Sequence, residues 1–305
     1  MVNRYQYQDV AWIDCESPTE EEIIDLADEF GLGSILSQEL MTPTPKPRVD
    51  LYPEFAYTVL HFPALRQTHG EYPLQEVDIV MGKSFIITVH YGPVPAIYDF
   101  ARSFEAAILL RRSKGAALHT GHVLLELTER LYQGVENELE SLEDEVSMIE
   151  KKIFSGHERE MVMAISSVSR ELLNQKRSLA THHDILESFE QIGISLFGEN
   201  LGNYFRAVAA FHYRVYHHAL ALSDTVDELH RTNDSLLTTS QNEVMKTLTI
   251  MAFITLPLTL ITGLFGMNTH YTPVLGVPND FWIILAIMAI LAVSFFLYFK
   301  HKKWF

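Results

Sequence analysis

Cysteine is almost missing from the chain. Cys15 stands alone among 305 residues, so no disulfide can close within it. A part facing a reducing compartment is expected, with Cys15 a small buried side chain rather than a reactive thiol. Basic residues are scarce too: 23 Lys and Arg stand against 39 Asp and Glu, a formal charge of −16. That argues against nucleic acid as a partner, which needs basic surface. It suits a protein that gathers cations, or one that is acidic for solubility alone. The chain also lacks a phosphate-binding glycine loop, a cysteine-based zinc site and a nucleophile with a matching base. Gly82-Lys83-Ser84 imitates the end of a P-loop without its upstream glycines. No enzyme and no cofactor are expected. Met1–Tyr5 contain no apolar signal region, so no cleaved secretory peptide is expected either.

A further absence divides the chain. From Thr247 to Asn279, and again from Phe281 to Phe299, there is no Asp, Glu, Lys or Arg. Each stretch contains an apolar run of about 20 residues, enough for roughly 30 Å of hydrocarbon. Lys246 precedes the first run and Lys300-His301-Lys302-Lys303 follows the second, while the connecting loop has no basic residue. Positive flanks stay on the cytoplasmic side, which puts both termini in the cytoplasm and the loop outside. Gly266-Met267-Asn268 then falls at the outer mouth of the first span, a position that points to an ion pathway.

What is present before the spans reads as α+β followed by helices. Residues 1–95 form a cytoplasmic α/β domain. In it Ser17-Pro18-Thr19-Glu20 starts a helix, with Ser17 as cap and Glu20 closing a capping box, and Gly31 stops that helix. Phe55–Phe62 is a strand, and Val77–Met81 with Phe85–His90 is a hairpin. Residues 96–192 form a helical hairpin region, interrupted by glycines such as Gly121 and Gly134. Its acidic helix carries Leu139, Leu142, Val146 and Ile149 as one apolar stripe. Residues 193–246 form a long stalk helix after the break at Gly193, Gly198 and Gly202. Asn203–Leu256 holds neither Gly nor Pro, enough for one helix of roughly 80 Å running into the first span. The remaining divisions are span 1 at 247–267, loop 268–280, span 2 at 281–299 and a basic tail at 300–305.

On the first span Asn242, Met245, Leu248 or Thr249, Ala252, Leu256, Thr259 and Gly263 recur every three or four residues, which is one helix face. That face is either ordinary helix packing or a pore wall. Asn242-Glu243-Val244-Met245-Lys246, Leu248-Thr249-Ile250, Pro257-Leu258-Thr259, Gly263 and Gly266-Met267-Asn268, with the basic-aromatic end Lys300–Phe305, resemble the CorA family of divalent-cation transporters within the two-span GMN superfamily. Softer matches lie at Trp12-Ile13-Asp14, at Pro47-Arg48-Val49 and at the Val77–His90 hairpin. The resemblance implies a funnel-shaped homopentamer in the cytoplasmic (inner) membrane, with lipid and divalent ions as partners and the first spans lining the pore. It makes Gly266, Met267 and Asn268 the selectivity ring and the periodic face the pore wall. Asn242 and Thr259 would be polar stations, and Met245, Leu248 and Leu256 apolar constrictions. Neutral amide and carbonyl oxygens suit Mg2+, which gives up water reluctantly and can pass with its shell. Met267 fits packing better than ligation, since a thioether is soft. The expected cargo is Mg2+, with Co2+ or Ni2+ as others, moving passively: two charges crossing 100 mV gain about 4.6 kcal/mol.

The chain departs from the family at two places. Val274 stands where magnesium transporters of the family carry a loop Glu, which keeps a zinc importer, with or without proton coupling, as an alternative. Where the family's cytosolic regulatory carboxylates would fall there are Ala207 and Ala210, or Arg214 and His217. Asp224, Asp227 and Glu228 lie further along the same helix. A non-conducting membrane scaffold or sensor is the second alternative. His119 with His122, the set His212, His217 and His218, and His182-His183-Asp184 are expected to be packed or solvated rather than metal ligands.

Overall fold

The structure, a computed structural model, describes residues 1–7, 9–63, 74–110, 119–267, 276, 278–302 and 304. The chain divides into two units, Met1–His230 and Arg231–Phe305.

The N-terminal unit is built on a six-stranded sheet in the order β1-β2-β6-β5-β4-β3. Its strands are β1 (Val2–Tyr7), β2 (Val10–Glu16), β3 (Arg48–Leu51), β4 (Phe55–Pro63), β5 (Leu74–Gly82) and β6 (Phe85–His90). All neighbours are antiparallel except β2 and β6, which run parallel with Trp12 opposite Ile86. Side chains alternate between two covered faces, so the central strands are apolar on both. One face carries Ile13, Cys15, Tyr57, Val59, Val80, Ile87 and Val89, and packs with Ile23, Leu26, Leu36 and Leu40. Those last residues come from α1 (Glu20–Phe30), α2 (Ser34–Glu39) and the residue after it. On the other face Trp12 meets Phe100 and Phe104 of α3 (Pro95–Leu110), and Phe62 meets Tyr132 of α4 (Thr120–Phe154) and His182 of α5 (Glu158–Phe197).

The helix start at Ser17 needs correction. Thr19 is the N-cap of α1; its hydroxyl accepts from the Glu22 N–H, and the Glu22 carboxylate accepts from the Thr19 N–H. Ser17 has a positive φ of 41° instead. The string Ser-Pro-Thr-Glu-Glu-Glu offers two overlapping capping boxes, and the later one forms. Gly31 does end α1, at φ 67°, a backbone conformation that costs other residues strain. Gly121 and Gly134 do not break α4, and α5 runs on through Gly193 to Phe197. Neighbouring apolar positions bury the helix face around Gly121 and Gly134, and that outweighs about 1 kcal/mol of lost propensity. The apolar stripe of the acidic helix behaves as the period requires: Leu139, Leu142, Val146 and Ile149 are buried in α4.

The last helices are α6 (Glu199–Phe265), continuous over 67 residues, and α7 (Asp280–His301). The division between the two units falls inside α6. Both helices are long and apolar enough to cross a membrane.

Candidate ion pathway

In the C-terminal unit the stretch of α6 after Lys246 exposes apolar residues over most of its circumference, the face of Ile250, Ile254, Pro257 and Ile261 being buried or half-buried. Met245 is 61 % exposed and Leu256 68 %, while Phe253, Leu260 and Leu264 are also exposed. A helix apolar all round has no water-facing side and belongs in lipid or among other helices. α7 is the same: Phe281, Trp282, Ile290, Val293 and Leu297 are exposed. Within this unit the buried points are few. Ile250 and Phe299 are buried. The Phe299 ring lies 6.2 Å from that of Phe253 and 5.7 Å from that of Trp304.

The expected pore positions all lie on α6. Asn242, Met245, Leu248, Ala252, Leu256, Thr259 and Gly263 are exposed and Thr249 is half-buried. One chain alone brings none of them together, because they lie along one helix. The hydroxyls have a fixed polarity. Thr249 Oγ1 donates to the Met245 carbonyl at 2.7 Å, and Thr259 Oγ1 to the Thr255 carbonyl at 2.9 Å. Each hydroxyl has one proton and gives it to the backbone. What Thr259 presents outward is therefore oxygen lone pairs. They can accept hydrogens from the water shell of a cation and have nothing to donate to an anion.

Pro257 sits inside α6 and leaves one carbonyl without its helical donor. Near the end of the helix the Gly266 N–H donates to the Thr262 carbonyl at 2.9 Å. A Cβ at Gly266 would lie only 2.9 Å from that same oxygen, so the position leaves no room for a side chain without a backbone shift. Gly263 has nothing within 4 Å of such a Cβ. Met267 N–H reaches the Leu264 carbonyl at 3.4 Å. Asn268, Val274 and the rest of 268–275 lie outside the described residues.

Several histidines of the N-terminal unit have partners within it. His182 is fully buried; its Nε2–H donates to the His61 carbonyl at 3.0 Å, leaving Nδ1 to accept from the Tyr132 hydroxyl at 3.0 Å. Burial drives it down to about 3, so it is neutral. His212 donates through Nε2 to the Leu179 carbonyl at 2.7 Å, and His122 Nε2 meets the Tyr204 hydroxyl at 2.6 Å. His218 lies between Glu136, 3.0 Å from Nδ1, and Glu143, 3.5 Å from Nε2. Asp224, Asp227 and Glu228 are exposed on α6. The buried carboxylates of this unit escape sequence reasoning. Asp14 and Asp78 are both buried inside apolar strands. The available signal is a charge set directly between apolar residues of a strand, as in Ile13-Asp14-Cys15 and Val77-Asp78-Ile79.

Three comparisons place this geometry. The model of the CorA-like Mg2+ transporter protein family matches residues 7–301. A cobalt/magnesium transport protein CorA of Thermotoga maritima is 25 % identical over 304 residues, covering 96 % of this chain and 83 % of its own. Its namesake in Methanocaldococcus jannaschii is 24 % identical over 296 residues, covering 96 % of this chain and 90 % of its own. The complete structure of the CorA magnesium transporter from M. jannaschii has the same fold, with a TM-score of 0.83 at 21 % identity over 99 % of this chain and 93 % of that one.

Proposed function

The chain belongs to the CorA-like Mg2+ transporter protein family, and on that premise we propose that it is a passive conduit for divalent cations, Mg2+ first and Co2+ second. In this reading several copies, five by the family resemblance, set their α6 helices around one axis in the cytoplasmic membrane, with both termini in the cytoplasm. Asn268, Gly266 and Met267 form the outer ring. Asn242, Met245, Leu248, Thr249, Ala252, Leu256, Thr259 and Gly263 line the path below. The observation that carries the reading is the exposed α6 face in which Thr259 turns only acceptor oxygen outward.

The chemistry follows from hydration. Mg2+ holds its water tightly and passes most readily with its shell intact. The hydrogens of that shell point away from the metal, so acceptor oxygens, the Thr259 hydroxyl and the amide carbonyls of Asn242 and Asn268, receive it. Leu248 and Leu256 offer no such acceptors, and a narrow ring of them empties of water when the path closes. The membrane potential supplies the drive.

Uptake of Mg2+, Co2+, Ni2+ and Zn2+ into liposomes by the purified full-length chain, beside Asn268→Ala, tests the reading. Mg2+ and Co2+ entry is expected, and removal of the amide from every subunit should lower it about tenfold or more, equivalent to about 1.4 kcal/mol or more. No entry of any ion, or entry that Asn268→Ala leaves unchanged, would defeat the proposal. Zn2+ entry that rises at acid pH with no Mg2+ entry would transfer the function to zinc, which the replacement of the loop Glu by Val274 makes the second reading.

A further inference from the structure

Two consecutive residues at the end of β6 grip two buried carboxyl groups, one on each face of the sheet. His90 reaches Asp14 of β2, with Nε2 3.3 Å from Oδ1, an ion contact rather than an aligned hydrogen bond. Its Nδ1 lies 2.6 Å from the Gly92 carbonyl, which can only accept, so Nδ1 carries a proton. To face a carboxylate favourably Nε2 must carry one too, and the ring is then an imidazolium. Asp14 Oδ1 also accepts from Thr88 Oγ1 at 2.7 Å, and Thr88 Oγ1 accepts from the Trp12 indole N–H at 3.2 Å. His90, Asp14 and Thr88 are all buried.

Tyr91 turns the other way and donates its hydroxyl to Asp78 Oδ2 at 3.2 Å. Asp78 has no exposed surface, and neither its Oδ1 nor the buried Tyr57 hydroxyl has a hydrogen-bond partner. Its neighbour on the same strand face is Glu76, which accepts from Thr44 N–H at 2.8 Å, from Thr44 Oγ1 at 2.7 Å and from His61 Nε2 at 3.2 Å. Those donors hold Glu76 below the usual carboxylate range against its burial. Arg48 on this side is held by Glu39 and Asp50, and among the described residues no ion pair to Asp78 forms. Two carboxylates side by side in a buried site do not both ionise.

We propose that the His90–Tyr91 step is a proton-operated latch in the N-terminal unit, closed while His90 and Asp78 hold their protons and loosened by alkalinisation.

The charged and titratable neighbours agree on the direction. Burial disfavours the imidazolium, but Asp14, the Gly92 carbonyl and Glu16 of β2 outweigh it, and His90 titrates above its ordinary value. Glu16 also accepts from Tyr98 of α3 at 2.6 Å, which keeps it beside the His90 ring. Burial first and Glu76 second push Asp78 well above the carboxylate range, against Tyr91 and Tyr57. Both folded values are raised. The His90 contribution is therefore complete below about pH 6.5 and is lost as pH climbs through the folded value. For Asp78 the unfolded chain gains a free carboxylate above about pH 3.9, so the fold loses ground until the raised folded value is passed. The two losses have the same sign.

Hydrogen exchange of the full-length chain in detergent, from pH 6.5 to 9.5 and corrected for the intrinsic rate, tests the latch. Protection of β6 amides should fall severalfold over this range relative to α4, in the direction that both raised values give. Asp78→Asn should raise β6 protection at the alkaline end and flatten the profile. Tyr91→Phe, which removes the hydroxyl donor to Asp78, should lower protection throughout. A wild-type β6 profile parallel to that of α4 overturns the latch, as does an Asp78→Asn profile equal to the wild type. If Asp78→Asn does not fold, the wild-type and Tyr91→Phe profiles decide in the same way.

Discussion

In the N-terminal unit a buried hydroxyl finds its partner across the fold: Tyr132 on α4 meets His182 on α5, which in turn holds the His61 carbonyl of β4. In the apolar stretch of α6 each threonine finds its partner one turn back on its own helix, as Thr249 does at Met245 and Thr259 at Thr255. The first arrangement needs a packed protein interior and knits three elements together. The second needs nothing beyond the helix and leaves its outer surface free for lipid, water or another chain. The N-terminal unit thus completes most of its chemistry within one copy, whereas the C-terminal unit takes its environment from outside.

The contrast can be broken at several places. The largest effect expected is on transport: Asn268→Ala should cost about tenfold or more in ion uptake while leaving the melting of the N-terminal unit unchanged. A matching fall in melting temperature would mean that the two units do not separate function from stability in this way.

Next comes His182→Leu, which strands the Tyr132 hydroxyl and removes a donor from His61. A loss of about 2–4 kcal/mol is expected in chemical denaturation, with uptake per folded molecule preserved. His182 also sets an acid limit. It is held neutral, so its stabilising effect is present above about pH 6.5 and is lost as pH falls toward its folded value of about 3. His182→Leu should flatten the acid side of the stability profile.

Thr259→Val is isosteric but removes the acceptor oxygen. A threefold to tenfold loss of uptake, about 0.6–1.4 kcal/mol, is expected with little change in melting, and Thr259→Ser should restore most of it. Gly263→Ala sharpens the comparison further. One chain leaves open space there, so the helix should gain up to about 1 kcal/mol in propensity. Reduced uptake despite that gain would mean that neighbouring copies approach the position. The smallest effect concerns Cys15. It is buried and its thiol is pushed up to about 12 by that burial, so maleimide should label it only after denaturation. Rapid labelling of the native protein would contradict the packed sheet.

Some of this was legible in the sequence because it is local. The β5–β6 hairpin follows from two apolar runs around Gly82-Lys83-Ser84, and α7 from an uncharged run between Asp280 and Lys300. The buried stripe of α4 follows from its period. The parallel partnership of β2 with β6 was not legible, since nothing near Trp12 names Ile86. The cap of α1 was misplaced by two residues because Ser17 and Thr19 each stand three residues before a Glu, and the choice depends on how the chain leaves β2. The candidate pore face was visible as a period in α6. Which side of that helix meets which surroundings depends on other copies and on lipid, which a single sequence does not encode. Asp14 and Asp78 left only a faint signal, a charge between apolar strand residues, because their burial is set by strands and helices distant in the chain.

The parallel pairing of β2 and β6 also has a consequence in time. Trp12 and its partner Ile86 are 74 residues apart. At roughly 5–20 residues per second on the ribosome, β2 emerges roughly 4–15 s before the strand that covers its inner edge. Throughout that interval a row of unpaired amides and carbonyls is open to whatever strand arrives first, including β2 of a neighbouring nascent copy. Crowded synthesis on one messenger should therefore hazard mispairing at this edge before a membrane span has been made.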